Sequence, residues 1–427
     1  MPAGRHAMNI LQVNTVATHG GAARACQRLH AALLAGGHHS RIVSVERPNG
    51  RADLQNWVTE SRASKLLRYA TWWLEMHTGL EGVLNVESCL GYRRQAQWAD
   101  VINLHNLHGQ YFNIFLLPRM ERFAPLVWTL HDTWALTGHC ACQSECRKWL
   151  DGRCGPCPNL AGPPKIYRDS VSVTYAARRR IFHRISPVLV TPSKWLLSQA
   201  DLSPLTAGFR KRCIPHGLDL SVFRPTDREP ARAALGLPAS DTVLMFSANF
   251  LHAQLKGWDL LLGALEQRKA EGVAGLRLLL VGQRGEGLRQ RSPYPTHDLG
   301  QVGSEQGMAA AYNAADVFVL PTRAESLGLV LLESIACGRP CVSFRVGGVP
   351  EVVRPGRTGW LAEPESARDL ARCLRQALAA GAEQRRRMSA ECRRIAEEEY
   401  GVDLMCHRYV ELYEEVIAER HARRRDA

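Results

Sequence analysis

Glu325 and Glu333 lie eight positions apart in Pro321-Thr322-Arg323-Ala324-Glu325-Ser326-Leu327-Gly328-Leu329-Val330-Leu331-Leu332-Glu333. The segment passes from a polar loop into an apolar helical pattern, so the two carboxylates bracket a strand-to-helix turn. A helix running from about Leu327 to Cys337 would offer unpaired N–H groups and a positive dipole end to a diphosphate. Gly328 lets backbone approach a ligand closely. A carboxylate one to two turns inside, as Glu333 is, could reach a ribose diol. Taken alone, the same residues read equally well as a helix with an acidic first turn. Lys256, before Gly257, is in isolation an ordinary surface charge.

Further candidates follow short apolar runs. Gly20-Gly21 comes after Asn9–Val13, His105-Asn106 after Val101–Leu104, and His131-Asp132 after Leu126–Leu130. A parallel sheet places its ligand contacts at such positions. The ordinary alternatives are a tight turn for the glycines and a buried histidine capping a loop. Five cysteines cluster between Thr137 and Pro158: Cys140, Cys142, Cys146, Cys154 and Cys157. Cys140 and Cys146 with the Cys154-Gly155-Pro156-Cys157 pair could give four thiolates to a tetrahedral structural zinc. Reduced thiols or a disulfide are the other readings. The position is wrong for a thioredoxin-like redox motif.

These residues must be held by a frame in which short β-branched runs alternate with longer amphipathic segments. That alternation predicts parallel sheets with crossover helices. Strands are expected at 9–13, 41–45, 101–104, 126–130, 188–191 and 212–214, and a second series at 242–247, 276–281, 317–320 and 341–344. The polar, Pro-containing stretch 224–230 separates them. The expected organisation is a first α/β domain over 8–220 with a Cys-rich insert at 137–158, a second over 221–400, and a helix over 401–427 that could pack back on the first.

The chain has 427 residues, 45% hydrophobic and 22% charged, with a net charge of +13. This is an ordinary globular composition. The positive excess favours anionic partners. No recognisable nucleic-acid module accompanies it. No apolar run reaches membrane-spanning length, and no signal peptide is recognisable. A cytoplasmic location, with contact at the inner face of the membrane, is expected. Ser64–Leu80, with Lys65, Arg68, Tyr69, Trp72 and Trp73, reads as an amphipathic core helix with a charged outer face, with contact to an anionic bilayer as the alternative. Ala176–Ile185, with Arg178, Arg179, Arg180 and Arg184, reads as a segment that lies on an anionic bilayer. There is no Asp-x-Asp metal motif and no Gly-Lys-Ser/Thr phosphate loop, which argues against an NTPase.

The Glu-x7-Glu segment is followed by Ala336-Cys337-Gly338-Arg339-Pro340 and the loop Val346-Gly347-Gly348-Val349-Pro350-Glu351. Together these resemble the retaining family-4 glycosyltransferases. The stretch His131–Cys140 with Cys146, Trp149, Cys154 and Cys157-Pro158 resembles the branch that serves colanic acid and other exopolysaccharides. The resemblance implies a GT-B fold: two Rossmann-like, doubly wound domains facing each other across a cleft. It implies catalytic-centre roles for Glu325, His131 and Lys256. Donor contacts would come from Gly20, Gly21, Ser326, Leu327, Gly328 and Glu333. The family's arginine shortly before the lysine is missing; Asn249, Phe250, His252 and Gln254 occupy the region, with Arg323 and Arg345 as possible substitutes. His216-Gly217-Leu218-Asp219 resembles the family's hinge turn.

The expected activity is transfer of a hexose, with retention and no catalytic cofactor, from a nucleoside diphosphate sugar to a lipid-linked or oligosaccharide acceptor. A nucleotide-sugar epimerase of the same architecture is the enzymatic rival. A basic, non-catalytic binding protein is the rival from another class.

Overall fold

The computed structural model describes residues 6–45, 53–58, 61–142 and 146–426. The chain divides into two compact units. One runs to Gly217 and resumes at Asp403; the other is Leu218–Val402.

The first unit is built on seven strands: β1 (Asn9–Val13), β2 (His39–Val43), β3 (Leu54–Gln55), β4 (Val101–Leu104), β5 (Leu126–Thr129), β6 (Val188–Thr191) and β7 (Arg210–Cys213). Their spatial order is β3-β2-β1-β4-β5-β6-β7, all in parallel register. Every residue of β4, β5 and β6 is buried. Strands covered by helices on both faces must be apolar throughout rather than alternating. The last helix, Val402–Arg425, belongs to this unit from Asp403 onward. The Tyr409 hydroxyl pairs with Thr129 Oγ1 at 2.9 Å, and Asn103 Nδ2 donates to the Tyr413 hydroxyl at 2.8 Å.

The second unit repeats the plan with β8 (Thr242–Phe250), β9 (Leu276–Gln283), β10 (Thr296–Asp298), β11 (Val317–Leu320), β12 (Cys341–Phe344) and β13 (Gly359–Ala362). The order β10-β9-β8-β11-β12-β13 is again parallel. Both sheets are therefore Rossmann-like. In each, the strand order reverses beside the first strand, between β1 and β4 and between β8 and β11. Crevices for ligands open at the carboxyl ends of strands at such switch points.

Two glycines press the second crevice together. Gly257 has φ +70, and a Cβ there would lie 1.8 Å from the Pro321 carbonyl oxygen. Gly347 has φ +53, and its Cβ would lie 1.9 Å from the Glu325 carbonyl oxygen. Any side chain at either position would push apart loops that must touch.

Candidate functional site

In the second unit, the loop after β8 ends in a short turn, Gln254–Lys256, and the loop after β11 carries Glu325. Because β8 and β11 are neighbours, these loops lie side by side. The Arg323 N–H donates to the Leu255 carbonyl at 2.8 Å, and Thr322 Oγ1 does so at 3.1 Å. This backbone stitching brings Lys256 Nζ to 2.8 Å from Glu325 Oε2. Both side chains keep partial exposure. The Gly348 N–H then donates to the Glu325 carbonyl at 3.0 Å, which ties the Gly-Gly loop after β12 to the same point.

Gly328, at φ +93, opens the helix Leu329–Ala336. That start is two residues later than the sequence suggests, because Ser326 and Leu327 finish the loop. Ser326, Leu327 and Gly328 follow Glu325 directly, with the Leu327 side chain buried in the core of this unit. Glu333 is fully buried, and its Oε2 accepts from the Tyr312 hydroxyl at 3.1 Å. Arg323 is committed elsewhere: it forms paired bonds to Asp259 at 2.9 and 2.7 Å and a further bond to Glu365 at 2.8 Å. It is therefore held as a strut rather than aimed at a phosphate. Arg345 is half exposed, with Glu363 at 4.0 Å.

In the first unit, Gly20 has φ +88 and caps the helix Gly21–Ala35, with open space where a Cβ would stand. Here the glycine answers the backbone angle, not crowding. His131 follows β5 and lies between two other imidazoles. Its ring stacks on His105 at 5.2 Å and on His216 at 5.1 Å between centroids.

A hydrogen-bond chain sets the His131 tautomer. Thr129 Oγ1 donates to Asn103 Oδ1 at 2.9 Å, which orients the Asn103 amide. Asn103 Nδ2 donates to Gln12 Oε1 at 3.0 Å, and that oxygen also accepts from His105 Nε2 at 2.8 Å. His105 Nδ1 is then an acceptor, and His131 Nε2 must donate to it across 2.9 Å. His131 Nδ1 is left as the basic nitrogen, suited to accept a hydroxyl proton. Burial lowers the His105 and His216 pKa values to about 3 and takes His131 well below its ordinary value. All three rings are neutral near pH 7.

His108 behaves differently. Burial pulls its pKa down, but Asp132 at 2.7 Å outweighs that and raises it. Asp132 also accepts the Trp134 N–H at 2.9 Å. Sequence reading singled out neither His108, nor Gln12, nor the two C-terminal tyrosines. His108 was within reach as the last residue of His105-Asn106-Leu107-His108 after β4. The tyrosines, nearly three hundred positions away in sequence, gave no local signal.

Two expectations need correction. Arg178 cannot lie on a bilayer. It is fully buried and donates to the carbonyls of Trp134 at 2.8 Å and Thr137 at 2.6 Å. Its guanidinium covers the Trp134 ring at 3.6 Å, with Glu81 at 3.8 Å. A run of arginines on one helix looked like a surface, but one of them points inward to hold the loop that follows His131. The zinc sphere is the second. Cys140, Cys146, Cys154 and Cys157 do line one pocket. Yet among the described residues no three His, Cys, Asp or Glu side chains are arranged to hold a metal ion. Cys154 Sγ instead accepts the Gly138 N–H at 3.3 Å, and the Cys140 and Cys157 side chains bond to one another. Burial, with the neighbouring thiols, pushes the Cys140 thiol up to about 12, so the group is neutral as it stands.

Residues 241–380 match the family described as glycosyl transferases group 1. The match lies within the second unit. A curated relative, the D-inositol 3-phosphate glycosyltransferase of Segniliparus rotundus, is 38% identical over 161 residues, which is 35% of either chain. The enzyme of the same name from Saccharomonospora viridis is 38% identical over 179 residues, 38% of this chain and 41% of that one. The chain thus matches well under half the length of these relatives. Among solved structures, sucrose-phosphate synthase from Thermosynechococcus elongatus superposes with a TM-score of 0.71 at 20% identity, covering 96% of this chain and all of that one. The Anabaena protein HepE, solved with UDP-glucose, gives 0.65 at 17% identity over 96% and 100%. The shared fold is GT-B, with two Rossmann-like domains. No helix among the described residues is long and apolar enough to cross a membrane.

Proposed function

We propose that this protein transfers a hexose from a nucleoside diphosphate sugar, with retention of configuration, to a lipid-linked or oligosaccharide acceptor in exopolysaccharide assembly, at the cytoplasmic face of a membrane. The observation that carries the donor half is the Lys256–Glu325 pair at the carboxyl edge of the second sheet. Lys256 is a cation that a diphosphate can draw away, and Glu325 is then released toward the sugar. The backbone of Ser326, Leu327 and Gly328 follows Glu325 directly in the chain. Glu333 is the proposed ribose contact, Gly20 and Gly21 the donor-facing loop of the first unit, and His131 Nδ1 the acceptor for a sugar hydroxyl. HepE, a structural neighbour, binds UDP-glucose, which supports UDP-sugars as the first donors to try. The acceptor rests on the resemblance of the His131–Pro158 stretch to exopolysaccharide enzymes.

Lys256 and a helix N-terminus can stabilise the leaving diphosphate without a metal ion. Transfer should therefore persist in EDTA, and the product should keep the donor's anomeric configuration by proton NMR. Loss of activity on chelation with the fold intact would rule this mechanism out. Donor turnover that needs no acceptor would favour the epimerase.

A further inference from the structure

The helix Arg62–Thr78 is amphipathic the wrong way round. Apart from Met76, its inward face is polar. Ser64 completes the capping box with Ser61, and Arg68 donates to both carboxylate oxygens of Glu87 at 2.8 Å, through Nε and Nη2. Thr71 is buried, and so is Glu75, whose Oε1 accepts the N–H groups of Val83 and Leu84 at 3.1 and 2.7 Å. The outward face is apolar and aromatic. Leu66 is 70% exposed, Tyr69 62%, Trp73 47% and Trp72 38%. Spacings of three and four residues put these on one side of the helix.

The patch continues onto a second segment. Trp73 stacks on His77 at 4.1 Å, and His77 lies 4.9 Å from Tyr167, which is 55% exposed. Cations frame it: Arg62, Lys65, Lys165 and Arg168 are all exposed, and Lys165 Nζ sits 4.7 Å from the Tyr167 ring. The one carboxylate on the helix, Glu75, is turned inward. Asp169 is taken up by the N–H groups of Cys157 and Val171 at 2.6 and 3.1 Å.

We infer that the Arg62–Thr78 face, together with Lys165–Arg168, docks the first unit onto an anionic lipid surface. Indole and phenol rings prefer the headgroup boundary, where one end is apolar and the other wet. Lys and Arg at the rim meet the negative headgroups. A soluble protein rarely leaves so contiguous an aromatic patch uncovered. Among the described residues the rim carries cations and no carboxylate without a partner, which complements lipid phosphate, whereas a self-associating face would need both signs. The inference moves membrane contact from the Arg178 helix to this one, and it stands apart from the donor chemistry.

The test is co-sedimentation of the full chain with vesicles of phosphatidylglycerol and phosphatidylcholine in equal parts, against phosphatidylcholine alone, at low and high salt. Wild type should bind the anionic vesicles and weaken as salt screens the rim. Tyr69→Ser/Trp72→Ser/Trp73→Ser should lose at least about tenfold in partitioning. Arg179→Gln/Arg180→Gln/Arg184→Gln should bind like wild type. Unchanged melting temperature and unchanged nucleotide binding would show that each variant is folded. Binding by the triple aromatic variant equal to wild type would overturn the proposal. So would wild type that ignores anionic vesicles, or a wild-type dimer that this variant turns into monomer, since a second copy would then be the occupant. Vesicle binding needs no donor, so a failed transfer assay leaves this result standing.

Discussion

At the scale of single residues, the proposed site depends on charges that are paired before any ligand arrives. Lys256 and Glu325 neutralise one another in a partly exposed setting, where the pair itself adds only about 1 kcal/mol or less to stability. Their value is as a switch of partners. Glu333 poses a sharper question, because it is fully buried against Tyr312. If a ribose diol binds it, Glu333→Gln removes charge-assisted hydrogen bonds of about 1.5–3 kcal/mol. Nucleotide affinity would then fall by roughly 10- to 100-fold in calorimetric titration. A lower melting temperature with unchanged affinity would make Glu333 a structural carboxylate. The histidines carry a pH signature. In the unfolded chain they titrate near 6.5, whereas the folded state holds His105 and His216 near 3. The unfolded state therefore gains protons first on acidification. Their contribution is complete above about pH 6.5 and is lost toward pH 3, at about 1.4 kcal/mol per pH unit for each ring. His108, with its raised pKa, acts in the opposite sense. His216→Asn should accordingly lose less stability between pH 7 and pH 5 than wild type in denaturant titrations. Parallel losses would remove His216 from the account.

At the scale of elements, strands were legible and packing was not. The apolar runs at 101–104, 188–191, 317–320 and 341–344 coincide with β4, β6, β11 and β12, because a strand buried on both faces writes itself as a continuous run. β3, β10 and β13 went unread: two are short, and β13 opens on Gly359. The Glu-x7-Glu turn could be read because its chemistry lies in consecutive residues. The pairing of Lys256 with Glu325, sixty-nine positions apart, needs the strand order to be seen. Arg178 was misread because sequence shows charge but not direction. It is the centre of a buried cluster, so Arg178→Met would strand Glu81 and free the Trp134 and Thr137 carbonyls. A cost of about 3–5 kcal/mol is expected in chemical denaturation. A change within about 0.5 kcal/mol would mean the guanidinium holds nothing. Gly347→Ala should impair donor binding more than it impairs folding, because its Cβ would meet the Glu325 carbonyl. Wild-type affinity in that variant would show the loop to be indifferent to this contact.

At the scale of the whole molecule, two Rossmann-like units divide the expected labour. The second holds the residues that match the group 1 glycosyl transferases, and among them Lys256, Glu325 and the Gly-Gly loop. The first holds the neutral histidine stack and the exposed aromatic helix. Nearly all of the +13 net charge lies in the first unit, so bulk attraction of anions belongs to that unit, and the second must rely on placed groups such as Lys256. The central claim is that a nucleoside diphosphate sugar binds at the carboxyl edge of the second sheet with Lys256 on its phosphates. Calorimetric titration of a panel of such sugars, in EDTA, tests it most directly. One donor should bind at a single site, and Lys256→Ala should weaken it by roughly 10- to 100-fold through loss of a charged contact of about 1.5–3 kcal/mol. No binding by any member of the panel, or equal affinity in the folded Lys256→Ala variant, would contradict it.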